Sequence, residues 1–549
     1  MSEIHAVYES RLMLTRLWIN RRLSFLAGSL GGSLLQCLLL TSPGLSAESV
    51  IANYGPLERD ISVKALEIYA RTGKLTEELA VYSRYLTPEQ LEQIRSGLLI
   101  SADLDVVAVA QFLYTPQGEA ILQGLGEVIQ TAGRQNGALA IRGAVIIAAA
   151  DPDGGLNILN VLKHFPTQGV RVDLGELASV ARAVIAEINQ TQETTAQIRA
   201  QALQAATESA GDLSFAYQNI LAAAGPYRWE KRLFSSAAVP TDLYLPEIPN
   251  VPLVVISHGL GGNRATLAYI AEHLASHGFA VAVVEHEGSS AAQLSALLSG
   301  QAREAVEPEE LIRRPIVIQG LLDRLEFVAL NDPTLRNRLN FQRVGVLGQS
   351  FGAYTGLALA GATVNLNKLE ESCPPQVAQL NLSLLLQCLV LSLPQPLPLL
   401  QDSRVQAAIA INPLNSAVFG AEGIANIDVP IMIVSGSADT VTPALSEQIR
   451  PFGWLESPER YLLLMEGGTH FSTIFDPQAV EDTVQLPEAV IGPSPRLAQR
   501  YIKVMSLAFF QAHLAEDTAY LQFLNPLYAD IISQSSLPIS LIQDFMIED

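Results

Sequence analysis

The sequence predicts an α/β protein whose mostly parallel, twisted sheet is flanked by helices and preceded by a smaller all-α domain. From about residue 225 onward, short β-branched runs alternate with helical stretches, the order expected of parallel strands joined by crossover helices. Several of these runs are apolar at successive positions, as in strands buried on both faces. Between residues 49 and 224 the apolar residues recur at three- and four-residue spacing, which predicts helices. We therefore expect a helical domain at 48–224 and an α/β domain at 225–549.

The composition indicates a large buried core beneath an acidic surface. Of the 549 residues, 49% are hydrophobic and only 16% are charged, and the mean hydropathy is +0.25. The 55 acidic residues outnumber the 34 basic ones, which gives a net charge of −21. Such a surface repels phosphate groups, so binding of nucleic acid through a broad basic face is excluded. The three cysteines, Cys37, Cys373 and Cys388, are too few for a disulfide scaffold or a four-cysteine zinc site.

Residues 1–47 have the pattern of an export signal. Four arginines lie within residues 1–22, residues 23–40 carry no charge, and small residues lead up to Ala47. We expect a signal peptide at 1–47 and a periplasmic or secreted mature protein. An uncleaved membrane anchor is the alternative, although glycines and serines dilute the apolar segment. Beyond residue 48 no stretch of 18 or more residues lacks both charges and strong breakers, so no stable transmembrane span is expected in the mature chain.

Three stretches support the helical prediction before residue 225. Thr87-Pro88-Glu89-Gln90 is a typical helix start, with a capping hydroxyl and a proline in the first turn. The run 138–150 is rich in alanine and isoleucine and predicts a buried helix, and 180–206 predicts a long surface helix. No chemical motif occurs here, so a packing domain is expected.

The α/β region is predicted to alternate strands with helices. Strands are expected at 251–258, 279–285, 344–347, 405–411, 430–435 and 461–465, and helices at 265–277, 317–330, 352–362 and 496–514.

The strongest chemical motif is the stretch Val344-Gly-Val-Leu-Gly-Gln-Ser350-Phe-Gly352. A predicted strand runs into Gly-x-Ser-x-Gly and a predicted helix follows at once. In this strand–turn–helix context the motif is a nucleophile elbow, because the two glycines relieve crowding in a strained turn that exposes the hydroxyl. Ser350 is therefore the predicted nucleophile.

A serine hydroxyl needs a base to remove its proton at neutral pH. Of the eight histidines, His470 follows the last predicted strand of the series, in Glu466-Gly-Gly-Thr-His470. Gly467 and Gly468 supply a flexible loop that can carry the imidazole over the elbow. His470 is the predicted base.

The third member of a triad orients the base and stabilises its protonated form. Asp439 ends the predicted strand 430–435 in a turn, and the order Ser350, Asp439, His470 matches that of α/β-hydrolases. Asp402 and Asp428 are competing candidates, although neither follows a strand.

The stretch His258-Gly259-Leu260-Gly261-Gly262 ends the first strong strand and predicts an oxyanion hole. The backbone amides of Leu260 and Phe351 are the expected donors, with His258, Gly259 and Gly261 supporting the loop. A phosphate-binding loop is the rival interpretation. For that interpretation a dinucleotide motif would need a glycine at position 264, where the sequence has Arg264, and the Gly-Lys-Ser/Thr of a P-loop is absent from this stretch.

At these motifs the chain resembles the platelet-activating-factor acetylhydrolase and dienelactone-hydrolase-like branch of the α/β-hydrolases. The resemblance spans about residues 225–515 and is carried by Ser257-His-Gly-Leu-Gly261, Val284-Glu-His-Glu-Gly-Ser289 and Gly348-Gln-Ser-Phe-Gly352. The helical segment, through Tyr54-Gly-Pro-Leu-Glu-Arg59 and Phe112-Leu-Tyr-Thr-Pro116, resembles the uncharacterised domain that precedes such hydrolases in cyanobacteria.

Two departures from that family pattern bear on function. Dienelactone hydrolases use a cysteine nucleophile, whereas this elbow holds Ser350, which argues against their substrate. The acetylhydrolase resemblance also implies an acid one strand earlier, after Ile411-Asn412-Pro413, where no carboxylate closely follows.

An insertion at 363–404 separates the elbow helix from the next strand. Its leucine-rich stretch predicts either a lid or acyl-pocket wall, or an extra helix packed on the sheet. Cys373 and Cys388 both lie in this insertion and could form a disulfide after export.

These observations predict a serine carboxylic-ester hydrolase acting on a small apolar or lipid-like ester, including phospholipid acyl esters. The chemistry requires neither a metal nor an organic cofactor, and the sequence identifies no protein partner. The alternatives are a non-catalytic scaffold on a hydrolase fold and a serine peptidase of the same fold.

Overall fold

The computed structural model describes residues 46–545, except 85, 103, 209–219, 235–238, 374–380 and 475–487. The predicted signal peptide therefore lies, apart from its last two residues, outside the described residues. The chain divides into two compact units. The first contains the described part of Met1–Asp103 together with Ile129–Asp173, and the second contains the described parts of Leu104–Val128 and Leu174–Asp549.

The described residues contain thirteen strands and nineteen α-helices, numbered here in chain order. The strands are β1 Ser49–Tyr54, β2 Leu57–Ser62, β3 Ile129–Thr131, β4 Gly169–Asp173, β5 Trp229–Phe234, β6 Thr241–Pro246, β7 Val251–Ser257, β8 Ala280–Val284, β9 Leu339–Gln349, β10 Val405–Ile411, β11 Ile431–Gly436, β12 Arg460–Met465 and β13 Ile539–Ile542. The helices are α1 Val63–Thr72, α2 Glu77–Ser83, α3 Pro88–Leu99, α4 Val106–Leu113, α5 Pro116–Val128, α6 Ala138–Ala150, α7 Ile158–Lys163, α8 Leu174–Glu208, α9 Ala268–Ser276, α10 Ala291–Leu298, α11 Glu310–Asn331, α12 Phe351–Leu359, α13 Leu366–Ser372, α14 Leu384–Gln387, α15 Gly420–Ile424, α16 Arg450–Gly453, α17 Glu488–Ile491, α18 Pro495–His513 and α19 Pro526–Ile532.

The first unit combines helices with a four-stranded sheet in the order β2-β1-β4-β3, so the expectation of an all-α domain is wrong. β1 and β2 form an antiparallel hairpin, and β1 pairs in parallel with β4. The residues of β1 and β2 are exposed or half-buried, and several are polar. These strands therefore lack the apolar alternation by which a strand is recognised in a sequence. The helix start at Thr87 is confirmed, with a capping box that joins Thr87 and Gln90.

The second unit is built on a nine-stranded sheet in the order β13-β12-β11-β10-β9-β7-β8-β6-β5. The six strands from β12 to β8 run parallel, and β13, β6 and β5 are antiparallel additions at the two edges. Successive residues of β10, Ala408 and Ile409, belong to two different hydrophobic cores, one on each face of the sheet. The predicted mostly parallel sheet with flanking helices is confirmed.

The second unit also includes helices that precede residue 225. α4 packs on α10, α5 packs on α8 and α14, and α8 packs on α19 and β13. The units therefore do not separate at residue 224, the predicted boundary, because Leu104–Val128 and the 35-residue helix α8 pack with the larger sheet. Amphipathic spacing alone identifies such helices without indicating which core they cover.

The insertion 363–404 packs against the core in its described part. Val390, Leu393 and Leu400 are buried members of the core cluster on one face of the sheet. Val390 lies in a short 3-10 helix, Cys388–Ser392, whereas Leu393 and Leu400 follow it outside any helix, so both interpretations of the insertion stay predictions. Cys373 and Cys388 form a disulfide, one of the two states that the sequence left open. Among the described helices, none has both the length and the apolar character needed to cross a bilayer.

Candidate active site

Ser350 occupies a strained turn between β9 and α12. Its backbone has φ 55° and ψ −118°, a conformation that residues with a side chain rarely adopt. The turn requires glycine on either side: a Cβ on Gly348 would lie 2.0 Å from the carbonyl oxygen of Gly352, and one on Gly352 would lie 2.0 Å from that of Ser257. The amide of Ser350 donates to the carbonyl of Ile411 at 2.8 Å, which ties the turn to β10.

His470 and Asp439 lie together at the carboxyl ends of β12 and β11. Nδ1 of His470 is 2.8 Å from Oδ2 of Asp439, and the Asp439 side chain is fully buried. The carbonyl of His470 accepts a hydrogen bond from the side chain of Gln349 at 3.2 Å. Because Gln349 immediately precedes Ser350, this bond places the histidine loop beside the elbow.

The carboxylate of Asp439 is held by several donors besides His470. Thr442 donates from its amide to Oδ1 at 2.9 Å and from its hydroxyl to Oδ2 at 2.8 Å. The amides of Asn412 and Gln448 donate to Oδ2 at 2.8 and 3.1 Å. Burial alone would raise the pKa of Asp439, but His470 and the Thr442 donors outweigh burial, so the pKa is lowered. The carboxylate is therefore ionised at neutral pH.

The two competing acids lie in other surroundings. Asp402 is buried and accepts hydrogen bonds from Arg404, at 2.6 Å to Oδ2. Asp428 is exposed, ahead of β11. Of the three carboxylates considered in the sequence, Asp439 is the one that contacts His470.

The predicted oxyanion loop follows β7 and lies against the elbow. A Cβ on Gly259 would lie 3.2 Å from Cβ of Ser350. The amide of Gly261 donates to the Ser289 carbonyl at 2.9 Å, and that of Gly262 donates to the Gly259 carbonyl at 3.1 Å. In this described loop, the amide of Leu260 has no such internal acceptor. Phe351 is the first residue of α12, where amides have no acceptor within their own helix.

His258 is buried inside this loop. Its Nδ1 donates to the carbonyl of Gly259 at 2.7 Å, and its Nε2 accepts from the amide of His286 at 3.1 Å. Burial, together with the charge of Arg314, lowers the pKa of His258 to about 3. The imidazole is therefore neutral at pH 7, and both its nitrogens are used in holding the loop.

Several polar residues around the site were missed in the sequence. Arg314 of α11 is fully buried and donates to the carbonyl of His258 at 2.7 Å. Thr442 and Gln448 surround the acid. None of these residues belongs to a motif, and Arg314 lies 56 positions from His258, so local sequence patterns carry no signal for these contacts.

A cavity of about 450 Å³ lies between α8 and the loops that follow β11 and β12. Its lining includes Thr195, Ser437 and the ion pair between Arg199 and Glu466, whose charged atoms are 3.3 Å apart. Ser350 is not among its described lining residues, so this cavity is not assigned as the acyl pocket.

Two family models match separate parts of the chain. Residues 46–173 match a family described as alpha/beta hydrolase of unknown function. Residues 237–319 match the family of platelet-activating factor acetylhydrolase, isoform II. The second match contains the predicted oxyanion loop.

Among curated relatives, the chain is similar to bacterial cutinases. It is 23% identical to Cutinase 1 of Thermobifida cellulosilytica over 318 residues, which cover 56% of this chain and 86% of the relative. It is also 23% identical to a cutinase of Thermobifida fusca (strain YX), covering 56% of this chain and 75% of the relative. A shorter match, 45% identical over 64 residues, relates it to the platelet-activating factor acetylhydrolase of Cavia porcellus, covering 11% of this chain and 15% of the relative.

Proposed function

We propose that this chain, an α/β-hydrolase of the branch that includes the platelet-activating factor acetylhydrolases, hydrolyses carboxylic esters through nucleophilic attack by Ser350. That the chain is a carboxylic ester hydrolase follows from its relatives; the catalytic residues and the substrate class are the proposal. The observation that carries it is the buried pair of His470 and Asp439, 2.8 Å apart, beside a serine held in an elbow conformation.

In the proposed mechanism, Oγ of Ser350 attacks the ester carbonyl while Nε2 of His470 takes its proton. Asp439 accepts the hydrogen bond from Nδ1, which fixes the tautomer and stabilises the imidazolium. The amides of Leu260 and Phe351 stabilise the oxyanion, each contributing about 3 kcal/mol. His470 then protonates the leaving alcohol, and water attacks the acyl-enzyme by the same sequence of proton transfers.

We propose an apolar or lipid-like ester as the substrate, which would place the enzyme in lipid degradation. The names of the relatives, cutinases and a platelet-activating factor acetylhydrolase, support this class. The side chain of Leu260, at the predicted oxyanion loop, is 40% exposed, and Phe471 packs edge-on against His470. Both offer apolar surface to an acyl or alcohol group. The net charge of −21 favours neutral or zwitterionic esters over anionic ones.

The test compares wild type with Ser350→Ala and with the exposed-serine control Ser299→Ala. We expect Ser350→Ala to lose labelling by a fluorophosphonate probe and at least about 10³-fold in turnover of p-nitrophenyl butyrate. The control should match wild type in both assays. Unchanged turnover in folded Ser350→Ala would refute the proposal. A series of p-nitrophenyl esters of increasing chain length then tests the acyl side of the substrate, because a preference for acetate over all longer chains would contradict an apolar acyl site and leave the apolar group on the alcohol side.

We further propose that the enzyme is exported. The support is the signal-like pattern of residues 1–47 and the disulfide between Cys373 and Cys388, since disulfides persist in oxidising compartments. Mass spectrometry of the protein from its native host should find a mature N-terminus near Glu48. An intact N-terminus on a cytosolic protein would contradict export.

A further inference from the structure

We propose that Arg314 is a positioning residue that holds both predicted donors of the oxyanion hole, an inference that rests on the proposed function. Its guanidinium lies behind the site, fully buried, and contacts the loop that carries Leu260 as well as the side chain of Phe351.

The first half of the hole is tied to Arg314 by hydrogen bonds. Nη1 donates to the carbonyl of His258 at 2.7 Å, while Nε and Nη2 donate to Oγ of Ser289 at 3.0 and 2.8 Å. The carbonyl of Ser289 in turn accepts the amide of Gly261 at 2.9 Å. The chain is therefore held on both sides of Leu260: at His258 directly, and at Gly261 through Ser289.

The second half of the hole is held by stacking. The guanidinium carbon lies 4.1 Å from the centroid of the Phe351 ring, and Phe351 is fully buried. A cation over an aromatic face at this distance is attracted by the ring electrons. The hydroxyl of Tyr354 donates to the carbonyl of Leu311 at 2.8 Å, so the helix that begins at Phe351 is also fixed to the helix that carries Arg314.

The carboxylate of Glu310 lies near the charge of Arg314, with its Oε2 3.7 Å from Nε of Arg314. The same carboxylate accepts from Oγ of Ser289 at 2.5 Å. Burial lowers the pKa of Arg314 to about 9, with Glu310 acting in the opposite direction, so the guanidinium remains protonated at neutral pH. A protonated, planar guanidinium donates three ways and stacks at the same time, which lysine cannot do.

A buried arginine of this kind is costly to desolvate, and an apolar side chain of similar volume is often as stable. Stability alone therefore does not require it. What an apolar residue cannot replace is the simultaneous placement of two backbone amides, whose positions matter in the transition state more than in substrate binding.

The experiment compares Arg314→Met and Arg314→Lys with Arg324→Met in the full-length protein. Arg324 is a matched control, because it lies on the same helix and stacks on a phenyl ring, that of Phe327, at 5.2 Å. For Arg314→Met we expect a kcat about 10²-fold below wild type, the loss typical of one oxyanion donor, with KM changed less than threefold. The kcat of Arg314→Lys should lie between those of Arg314→Met and wild type. The kcat of Arg324→Met should equal that of wild type.

A second readout is inhibition by an alkyl trifluoromethyl ketone, which reacts with the nucleophilic serine to form a tetrahedral adduct with an oxyanion. Its affinity should fall by about the same factor as kcat. If Arg314→Met does not fold, Ser289→Ala removes the link between Arg314 and Gly261 and should lower kcat about tenfold with KM retained. A folded Arg314 variant with wild-type kcat, or a fall confined to KM, overturns the inference. Inactive Ser350→Ala alongside fully active Arg314→Met refutes this inference alone, whereas active Ser350→Ala refutes the proposed function.

Discussion

The side-chain amide of Asn412 donates to Oδ2 of Asp439 at 2.8 Å, across the carboxyl ends of β10 and β11. Asn412 directly follows β10, the strand after which the acetylhydrolase resemblance implies the acid. Two neighbouring strands therefore reach the same point beside His470, one with a carboxylate and the other with an amide that supports it.

Replacing the acid should remove most of the activity. We expect Asp439→Asn to lower kcat by about 10⁴, the loss seen when a triad acid becomes an amide, because His470 would be held in the wrong tautomer. Steady-state kinetics on p-nitrophenyl butyrate measure the loss. Circular dichroism should show the variant to be folded, and a loss below tenfold would contradict the assignment of Asp439.

Exchanging the two residues should restore part of that activity. In Asn412→Asp combined with Asp439→Asn, a carboxylate again lies at this point of the site, so kcat should rise at least tenfold above the single Asp439→Asn variant. The measurement is kcat of the single and double variants under identical conditions. Equal values would mean that a carboxylate on β10 cannot serve His470 in this protein.

Glycine is required where the turn at Ser350 meets the predicted oxyanion loop. In Gly352→Ala the new Cβ would lie 2.0 Å from the Ser257 carbonyl oxygen, so we expect loss of activity and about 3 kcal/mol of destabilisation. Gly320→Ala on α11 is the control, because its Cβ would meet nothing within 4 Å. That change should be neutral or stabilise by up to about 1 kcal/mol. Urea unfolding measures the free energy of unfolding of both variants. Equal values for Gly352→Ala and Gly320→Ala would show that the structure relaxes around the new Cβ at position 352.

Acid should destabilise the protein in part through His258. Its pKa is about 3 in the folded protein, against about 6.5 when unfolded, so the unfolded chain binds more protons between these values. The free energy of unfolding attributable to His258 is therefore fully present above pH 6.5 and falls as pH is lowered, by about 1.4 kcal/mol per pH unit. Urea unfolding between pH 6 and 4 should show a shallower dependence in His258→Asn than in wild type. Parallel curves would indicate that His258 is protonated in the folded state.

The disulfide should stabilise the insertion without taking part in catalysis. Cys373 and Cys388 are 15 positions apart, a span for which a cross-link contributes about 3 kcal/mol by restricting the unfolded chain. We expect the double variant Cys373→Ser, Cys388→Ser to lose this amount in urea unfolding and to keep wild-type kcat. Dithiothreitol should lower the stability of wild type but not of the double variant. An equal effect of dithiothreitol on wild type and the double variant would show that it does not act through this disulfide.

The parallel sheet could be predicted from sequence because its central strands are buried on both faces and are therefore continuously apolar. The motif around Ser350 and the order of Asp439 and His470 identified the candidate triad, since such residues follow strands whose carboxyl ends meet at one edge. The strands β1 and β2 were not predicted, because their half-exposed and polar residues give no alternation of apolar and polar positions. The contact between Arg314 and His258 could not be predicted, because a fully buried arginine on a helix cannot be distinguished in sequence from an exposed one.

The segment Leu104–Val128 belongs to the larger unit although it lies between two segments of the first unit. This arrangement determines the order in which the two units can fold during synthesis. The first unit draws on segments before and after this excursion, so β1 cannot pair with β4 until residue 173 has been made. Helices α4 and α5 are made earlier still, yet α10 and α14, on which they pack, follow more than 150 residues later. The first helices to be synthesised for the larger unit therefore lack part of their final packing surface for most of translation, and for α5 that surface is completed by α14, which follows the turn at Ser350.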